Sequence, residues 1–518
     1  MNFRQYARIV FSLAISGLLL VGLLLLLNGT SPVARAAPGD LFVSTSGSGN
    51  ACIQASPCAL QTALYQATDG DTIYVAGGTY TGTGAAVITI TKSITLYGGW
   101  NGASSGPVLR DPGAYPTTLD GEGTRRVVYV GNSITVTIEG LTITNGFVTD
   151  RGAGFYAKDA NLTLRYTTIY SNVADSQTAT DTLGGGGYVS GGTLQVLSST
   201  LRANSTWCNG CVRTIGGGLY IYGTRAVTIE GSLFEANDAW NGSGLMFDGG
   251  SGRQPILIRH TIFRDNGRGI SPGSGRGGYG AGAYIAWAGA RIEECLFERN
   301  QVVNHAGALW FAGGELFLAR TVIRDNEAHV AAGMELWDTS PFTITNNIIA
   351  DNRPRGVNQV GAISFGSNST GILQHNTIAR NVGTYGGYGI ATQSSQPITL
   401  VNTILVSHTV GISVTAGSTA ALEGTLWGSG VWANGTDWGG NGTILTGTVN
   451  IWGNPAFVDP DGGNYHLRPG SAAIDAGVDA GVTADIDGDP RPVGAAPDIG
   501  ADEYIIHVYL PVVMKNRP

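Results

Sequence analysis

Asparagine recurs along this chain at positions 172, 204, 237, 266, 300, 326, 352 and 381, in steps of 26 to 34 residues. The surroundings of each Asn repeat with it. Eight residues earlier stands an aliphatic side chain: Leu164, Val196, Ile229, Ile258, Ile292, Leu318, Ile344 or Leu373. Two residues further back lie Leu162, Leu194, Val227, Ile256, Ala290, Leu316, Phe342 and Gly371. That alternation marks a strand with one buried face. Three before each Asn comes a second apolar residue, among them Ile169, Phe234, Phe263, Phe297 and Ile378. Five before it the chain carries Thr167, Ser199, Ser232, Thr261, Cys295, Thr321, Asn347 or Asn376. A unit this short, with strands and no convincing helix, cannot bury its apolar face alone, whereas stacked copies can. Strands of successive units then pair in parallel about 4.8 Å apart, and like residues form ladders. Asn suits the corner of such a coil, because it tolerates left-handed backbone and its amide can bond to the next Asn in line.

This predicts about a dozen parallel coils between Ile73 and Trp452, with Asn172 through Asn381 in one line. The segment Cys58–Ala67 has apolar residues at Leu60, Ala63, Leu64 and Ala67, the spacing of a short amphipathic helix. It reads as a cap over the open β edge of the first coil. Arg268 to Gly280 reads as a loop that leaves the coil.

The N-terminus predicts export. Arg4 and Arg8 precede an uncharged stretch from Ile9 to Leu27, and Ala34-Arg35-Ala36 supplies a small-x-small cleavage pattern. An uncleaved anchor is the alternative, since the stretch is long enough to span a bilayer. The expected organisation is a signal peptide over 1–36, a cap over 37–70, the coil over 71–453, an Asp- and Gly-rich module over 454–505 and a tail over 506–518. With 42% apolar residues the chain is too hydrophobic for disorder. Its net charge of −8, and Lys only at 92, 158 and 515, exclude a basic nucleic-acid surface. In an oxidising compartment Cys52 and Cys58, and Cys208 and Cys211, are candidate disulfides. A zinc reading of the two pairs is weaker, with no His beside either. Cys295 sits on a small-polar ladder and reads as a buried thiol in place of Ser or Thr.

The segment Asp71-Thr-Ile-Tyr-Val-Ala-Gly-Gly-Thr-Tyr80 resembles the start of secreted right-handed β-helix proteins of the pectate-lyase-like superfamily. Phe234-Glu-Ala-Asn237, Phe263-Arg-Asp-Asn266 and Phe297-Glu-Arg-Asn300 are similar to the Phe-x-x-Asn repeat of polymorphic outer-membrane proteins. Gly216-Gly-Gly-Leu219 resembles that family's Gly-Gly-Ala-Ile motif. Ser471–Gly477, Asp485–Pro492 and Pro497–Tyr504 resemble the choice-of-anchor Q domain, which implies surface attachment. The tail Tyr509–Asn516 contains no standard sortase motif. The fold class expected is therefore all-β: a right-handed parallel β-helix, or solenoid, with a short N-terminal capping helix and a small C-terminal module. These resemblances specify a fold and leave the activity open.

Glycosidase chemistry needs two carboxylates about 5–10 Å apart. The best grouping is Asp248, Glu335 and Asp338, although coils separate Asp248 from the other two. Polygalacturonase-like signatures are absent. His260, His305, His329 and His375 are scattered and read as solvated turn residues. Counting from the glycine that opens each unit, alternate residues point inward, among them Leu219/Ile221, Ala308/Trp310 and Met334/Leu336. The residues between them then point outward: Tyr156, Tyr188, Tyr220, Tyr222, Tyr284, Phe311, Trp337 and Phe365. Such a stripe can stack sugar rings, although aromatics also favour strands without any ligand. Asp485, Asp487 and Asp489 offer hard oxygen ligands, so calcium is the cofactor the sequence admits, with ordinary turn chemistry as the alternative.

The leading functional expectation is a noncatalytic surface or extracellular protein that binds a polysaccharide or a cell-surface component. The alternatives are a polysaccharide lyase or glycoside hydrolase on acidic glycans, and a structural surface-layer component. Membrane contact is expected only through the N-terminal signal or a surface anchor.

Overall fold

The computed structural model describes residues 39–176, 181–208, 213–267 and 278–505. The signal segment, the tail, Cys211 with its pairing to Cys208, and most of the loop after Arg268 lie outside them. The only α-helix among the described residues is Leu60–Gln66; all else of regular structure is strand or single 3-10 turns. No described helix is long and apolar enough to cross a membrane.

Each full coil contributes three strands, and each strand pairs in parallel with its counterpart one coil on. Sheet A runs from Ala86–Ile90 through Arg126–Val130, Phe155–Lys158, Gly187–Ser190, Leu219–Tyr222 and Leu245–Asp248 towards Thr436–Gly439. Sheet B holds the apolar alternation that the sequence shows: Leu162 faces Leu194, and Leu164 faces Val196. Sheet C is built of short strands such as Leu233–Glu235 and Ile262–Arg264. The inward side chains of all three fill one continuous core. Phe234, Phe263 and Phe297 stack within it at centroid spacings of 4.9 and 4.7 Å. The cap helix contributes Leu60 and Ala63 to the same core, and Cys52 bonds to Cys58 beside it.

Two polar ladders close the ends of sheet C. The Asn side chains from Asn172 to Asn381 are all fully buried. Each Nδ2 donates to the Oδ1 of the next Asn at 2.8 to 3.1 Å. Each backbone N–H from Asn172 to Asn352 donates to that oxygen as well, as Asn237 does to Asn266 at 3.0 Å. The left-handed residue is not the Asn itself, as the sequence suggested, but its predecessor: Ser171, Ala203, Ala236, Asp265 and Arg299 all have φ between 51° and 55°. The Asn supplies the hydrogen bonds, and the preceding residue supplies the bend. The second ladder repeats this division. Thr167 N–H donates to Ser199 Oγ at 3.1 Å, and Cys295 N–H to Thr321 Oγ1 at 3.3 Å. Cys295 is a free, buried thiol, which burial pushes up to about 12.

Among the described residues, the segment 454–505 is the one part with an antiparallel strand pair, Phe457–Asp459 with Asn464–Leu467. It folds back along the outside of sheet C. Phe457, Tyr465, Leu467, Ala473, Ile499 and Ala501 cover the outward Ile348, Ala350, Ala379, Ile404 and Val406. Tyr465 Oη donates to Asp351 Oδ2 at 2.6 Å, and Val478 N–H to Asn402 Oδ1 at 2.8 Å.

Candidate functional site

Parallel pairing without offset places equivalent residues of sheet A directly above one another. Tyr129, Tyr156, Tyr188, Tyr220, Met246, Tyr284 and Trp310 thereby form one outward column. The first four rings stack nearly parallel, with centroids 5.5, 5.2 and 5.5 Å apart. Tyr284 and Trp310 stack at 6.0 Å, and Trp310 and Trp337 at 6.3 Å. The spacing is the strand spacing, so each ring covers its neighbour's face. Tyr188, between two others, is only 7% exposed. A sugar laid along the column meets ring edges and hydroxyls, not faces. Open faces lie to the side, where Tyr222 and Trp287 are each 48% exposed. Trp287 rests over Gly313 and Trp337 over Gly366, where any Cβ would come within 2.6 Å of the ring.

Two of the expected outward aromatics belong to the core. Phe311 pairs with Ile285 and Phe365 with Leu336, and both are fully buried. The reason is register. Leu309 pairs with Ala283 and Ile363 with Met334, so Ala308 and Ala362 hold the opening position that Gly282 and Gly333 hold elsewhere. Counting from Gly307 and Gly361 reverses the parity of both strands. The same shift turns Trp310, expected inside, to the outside.

The three candidate carboxylates do not form a pair. Asp248 lies in register with Tyr222, Ala286 and, through them, Ala312 and Trp337. It is three coils from Glu335, a separation of about 14 Å at about 4.8 Å per coil. Asp338 turns a corner with φ 48° and accepts from Asn368 Nδ2 at 2.9 Å. Glu335 instead meets a residue that sequence reasoning had placed in solvent. It is 2% exposed, and its Oε2 lies 2.8 Å from His305 Nδ1 while its Oε1 accepts from Trp337 Nε1 at 2.7 Å. His305 stacks on Tyr279 at 5.3 Å and meets Trp310 edge-on at 5.7 Å. The signal was the step of 26 from Tyr279 to His305, equal to that from Ala283 to Leu309 in the paired strands that follow them, which puts both rings on one corner of adjacent coils. A carboxylate bonded to Nδ1 fixes the orientation of the ring and leaves Nε2 as its free nitrogen.

Arginines flank the column. Arg126 lies over the Tyr156 ring at 5.1 Å and Arg151 over Tyr188 at 5.3 Å. Burial raises the Tyr156, Tyr220 and Tyr284 hydroxyls above their ordinary value, so they stay protonated donors.

The acidic run in the C-terminal segment is not the ligand set its spacing suggests. Asp485 is fully buried. Its Oδ1 accepts from the N–H groups of Asp487 and Asp489 at 2.9 Å, and its Oδ2 from Glu503 N–H at 3.0 Å. It organises a turn. Asp487 points instead to His466, with Asp502 close by, so that donor atoms of the three lie within 4.8 Å of one another. His466 Nδ1 is held by Asn464 Oδ1 at 2.9 Å. A nitrogen donor with two carboxylates fits a transition metal better than calcium, which takes oxygen. Burial lifts the Asp502 carboxyl to about 7. Burial opposes charging of His466, but Asp502 and Asp487 outweigh it and raise the imidazole to about 9.

The sequence model of the right-handed β-helix region matches residues 122–315 and 274–426, more than half of the chain. The protein belongs to that family of right-handed parallel β-helices. Among solved structures, the crystal structure of pectate lyase Pel9A is similar at 16% identity and a TM-score of 0.38, over 91% of this chain and 98% of that one. No curated protein matches the sequence.

Proposed function

We propose that the protein is an exported β-helix protein that holds a polysaccharide along sheet A without cleaving it. The observation that carries the reading is the in-register aromatic column, flanked by the open rings of Tyr222 and Trp287. Hydrogen-bonding hydroxyls repeat along the column at the coil spacing, and the flanking rings offer flat apolar faces for sugar rings. Many weak contacts along one polymer give useful avidity. Export is supported by the Arg4, Arg8 and Ala34–Ala36 pattern, and surface attachment by the anchor-like segments of 471–504.

The test is a glycan array probed with the mature chain, followed by titration of any bound polymer. The Tyr222→Ala/Trp287→Ala variant should keep its fold and lose at least about tenfold in affinity, or about 1.4 kcal/mol. Absence of any bound glycan, or unchanged affinity in the variant, contradicts the reading.

A second reading, cleavage of a polysaccharide, is favoured by one observation, the His305–Glu335 pair at 2.8 Å among aromatic rings. An oriented imidazole can remove a proton from a sugar carbon or from water. Mass analysis of the incubated polymer decides this. Shortened products that vanish with His305→Ala establish an enzyme, and an intact polymer excludes cleavage of that substrate.

A further inference from the structure

The aromatic column has an open end. At its N-terminal end Tyr129 is stacked on one face by Tyr156. In the preceding coil the equivalent position is Thr89, too short to cover the other face. That face borders a cavity of about 360 Å³ between the first coils and the cap, lined also by Gln61, Thr83 and Arg126. The loop that forms its far wall is tied down by Arg125 Nη1, which donates to the Gly82 carbonyl. Gln61 Nε2 donates to the Val87 carbonyl, which leaves its side-chain oxygen for a hydroxyl.

Arg126 supplies a second, independent observation. Its side chain is 15% exposed, and its bonds go mainly to neutral groups: Nε to Gly152 O at 2.9 Å and Nη2 to Arg151 O at 2.8 Å. The nearest carboxylate, Asp150, is 3.4 Å away and 62% exposed. Nη1 bonds to nothing among the described residues. Burial lowers the pKa of this guanidinium, and Asp150, its one ion-pair partner among the described residues, opposes that only from the solvent side. An Arg edge with an unbonded Nη1, beside an uncovered aromatic face in one cavity, calls for a flat ligand with an anionic group at its rim.

We propose that this cavity binds one anionic sugar residue, its ring stacked on Tyr129 and its acidic group paired with Arg126. The site rests on the polysaccharide reading in this respect only, that it would receive the end of a chain lying on the column. It fixes direction, because the ring at this end of the glycan is held differently from those along sheet A.

Saturation-transfer NMR on the full mature chain tests it, with glucuronate, glucose 6-sulfate and glucose as probes. At least one of the two anionic sugars should bind in the millimolar range, and glucose at least about tenfold more weakly, since an ionic hydrogen bond to a buried Arg is lost. Arg126→Gln should abolish that preference. Thr89→Trp, which covers the Tyr129 face and leaves Arg126 in place, should abolish binding while the melting temperature stays within a few degrees of wild type. Equal binding of all three sugars, no binding of any, or full binding by Thr89→Trp overturns the site. A polymer bound equally by wild type and Thr89→Trp, with no monosaccharide bound, removes this site and leaves the column reading standing. Glucuronate bound with no polymer bound does the reverse.

Discussion

The coil and the C-terminal segment are held together by opposite means. In the coil the buried polar groups are mostly neutral, repeated and paired with their own kind, as along Asn172 to Asn381. Its buried carboxylates among the described residues are Glu298 and Glu335. The far shorter segment 454–505 buries Asp485, Arg491, Asp498, Asp502 and Glu503 together. Arg491 and Glu503 form an ion pair at 3.3 Å with both side chains fully buried. Arg491 also reaches across to His375 of the coil at 2.6 Å. A ladder shares one requirement among many equivalent residues. A charge cluster makes each member depend on the particular others, so the segment should be the more easily undone by one substitution or by pH.

The largest effect is expected from Arg491→Ala. It leaves Glu503 buried without its partner, at a cost of about 3–5 kcal/mol. Limited proteolysis with mass analysis should show 454–505 cut while the coil survives. Loss of both in one step would mean that the two regions fold as one unit.

Asn266→Ala probes the ladder. Asn237 loses the acceptor of its N–H and its Nδ2, at 3.0 and 3.1 Å, and the two buried donors together cost about 2–4 kcal/mol. Hydrogen exchange should quicken in the neighbouring coils and remain slow several coils away, as expected where each repeat touches only its neighbours.

The pH dependence follows from His375. Burial and the Arg491 charge hold its imidazole down at about 3. A folded value below the unfolded one means that the contribution is whole above about pH 6.5 and shrinks as pH falls towards 3. Asp498 and Asp502, raised to about 6 and 7 by burial, act in the opposite sense, contributing in acid and losing that contribution as pH rises. The clean comparison is therefore wild type against His375→Gln. The advantage of the wild type in unfolding of 454–505 should narrow by roughly 3 kcal/mol between neutral pH and about pH 4. An unchanged gap would show that His375 is not held neutral.

The smallest effect belongs to Cys295→Ser. The position lies between Thr261 and Thr321 on a ladder of hydroxyls, and its Sγ already faces the Glu293 carbonyl at 3.1 Å. Chemical denaturation should shift by less than about 1 kcal/mol.

The coil was legible because one physical demand returns at every turn. The Asn positions, the inward aliphatics and the small-polar ladder each appear many times, so chance matches are outvoted. Parity at a single strand has no such redundancy. Ala308 and Ala362 do the work of an opening glycine, and counting glycines therefore put Phe311 and Phe365 on the wrong side. His305 and Glu335 are 30 residues apart on a corner and a strand, with no motif to join them. The acidic run was visible, but its partners His466 and Asp502 come from separate turns that only the folded segment brings together.

Hydroxyl-radical footprinting of the aromatic side chains, with and without a bound polysaccharide, locates the glycan on the coil. Tyr222 and Trp287, each 48% exposed, should be protected by the glycan. Tyr65, Tyr166, Tyr385 and Trp452, exposed at 84, 61, 59 and 56%, serve as internal controls and should oxidise as before. Protection of the controls with the sheet A residues left reactive would contradict the account and place the glycan on another face of the coil.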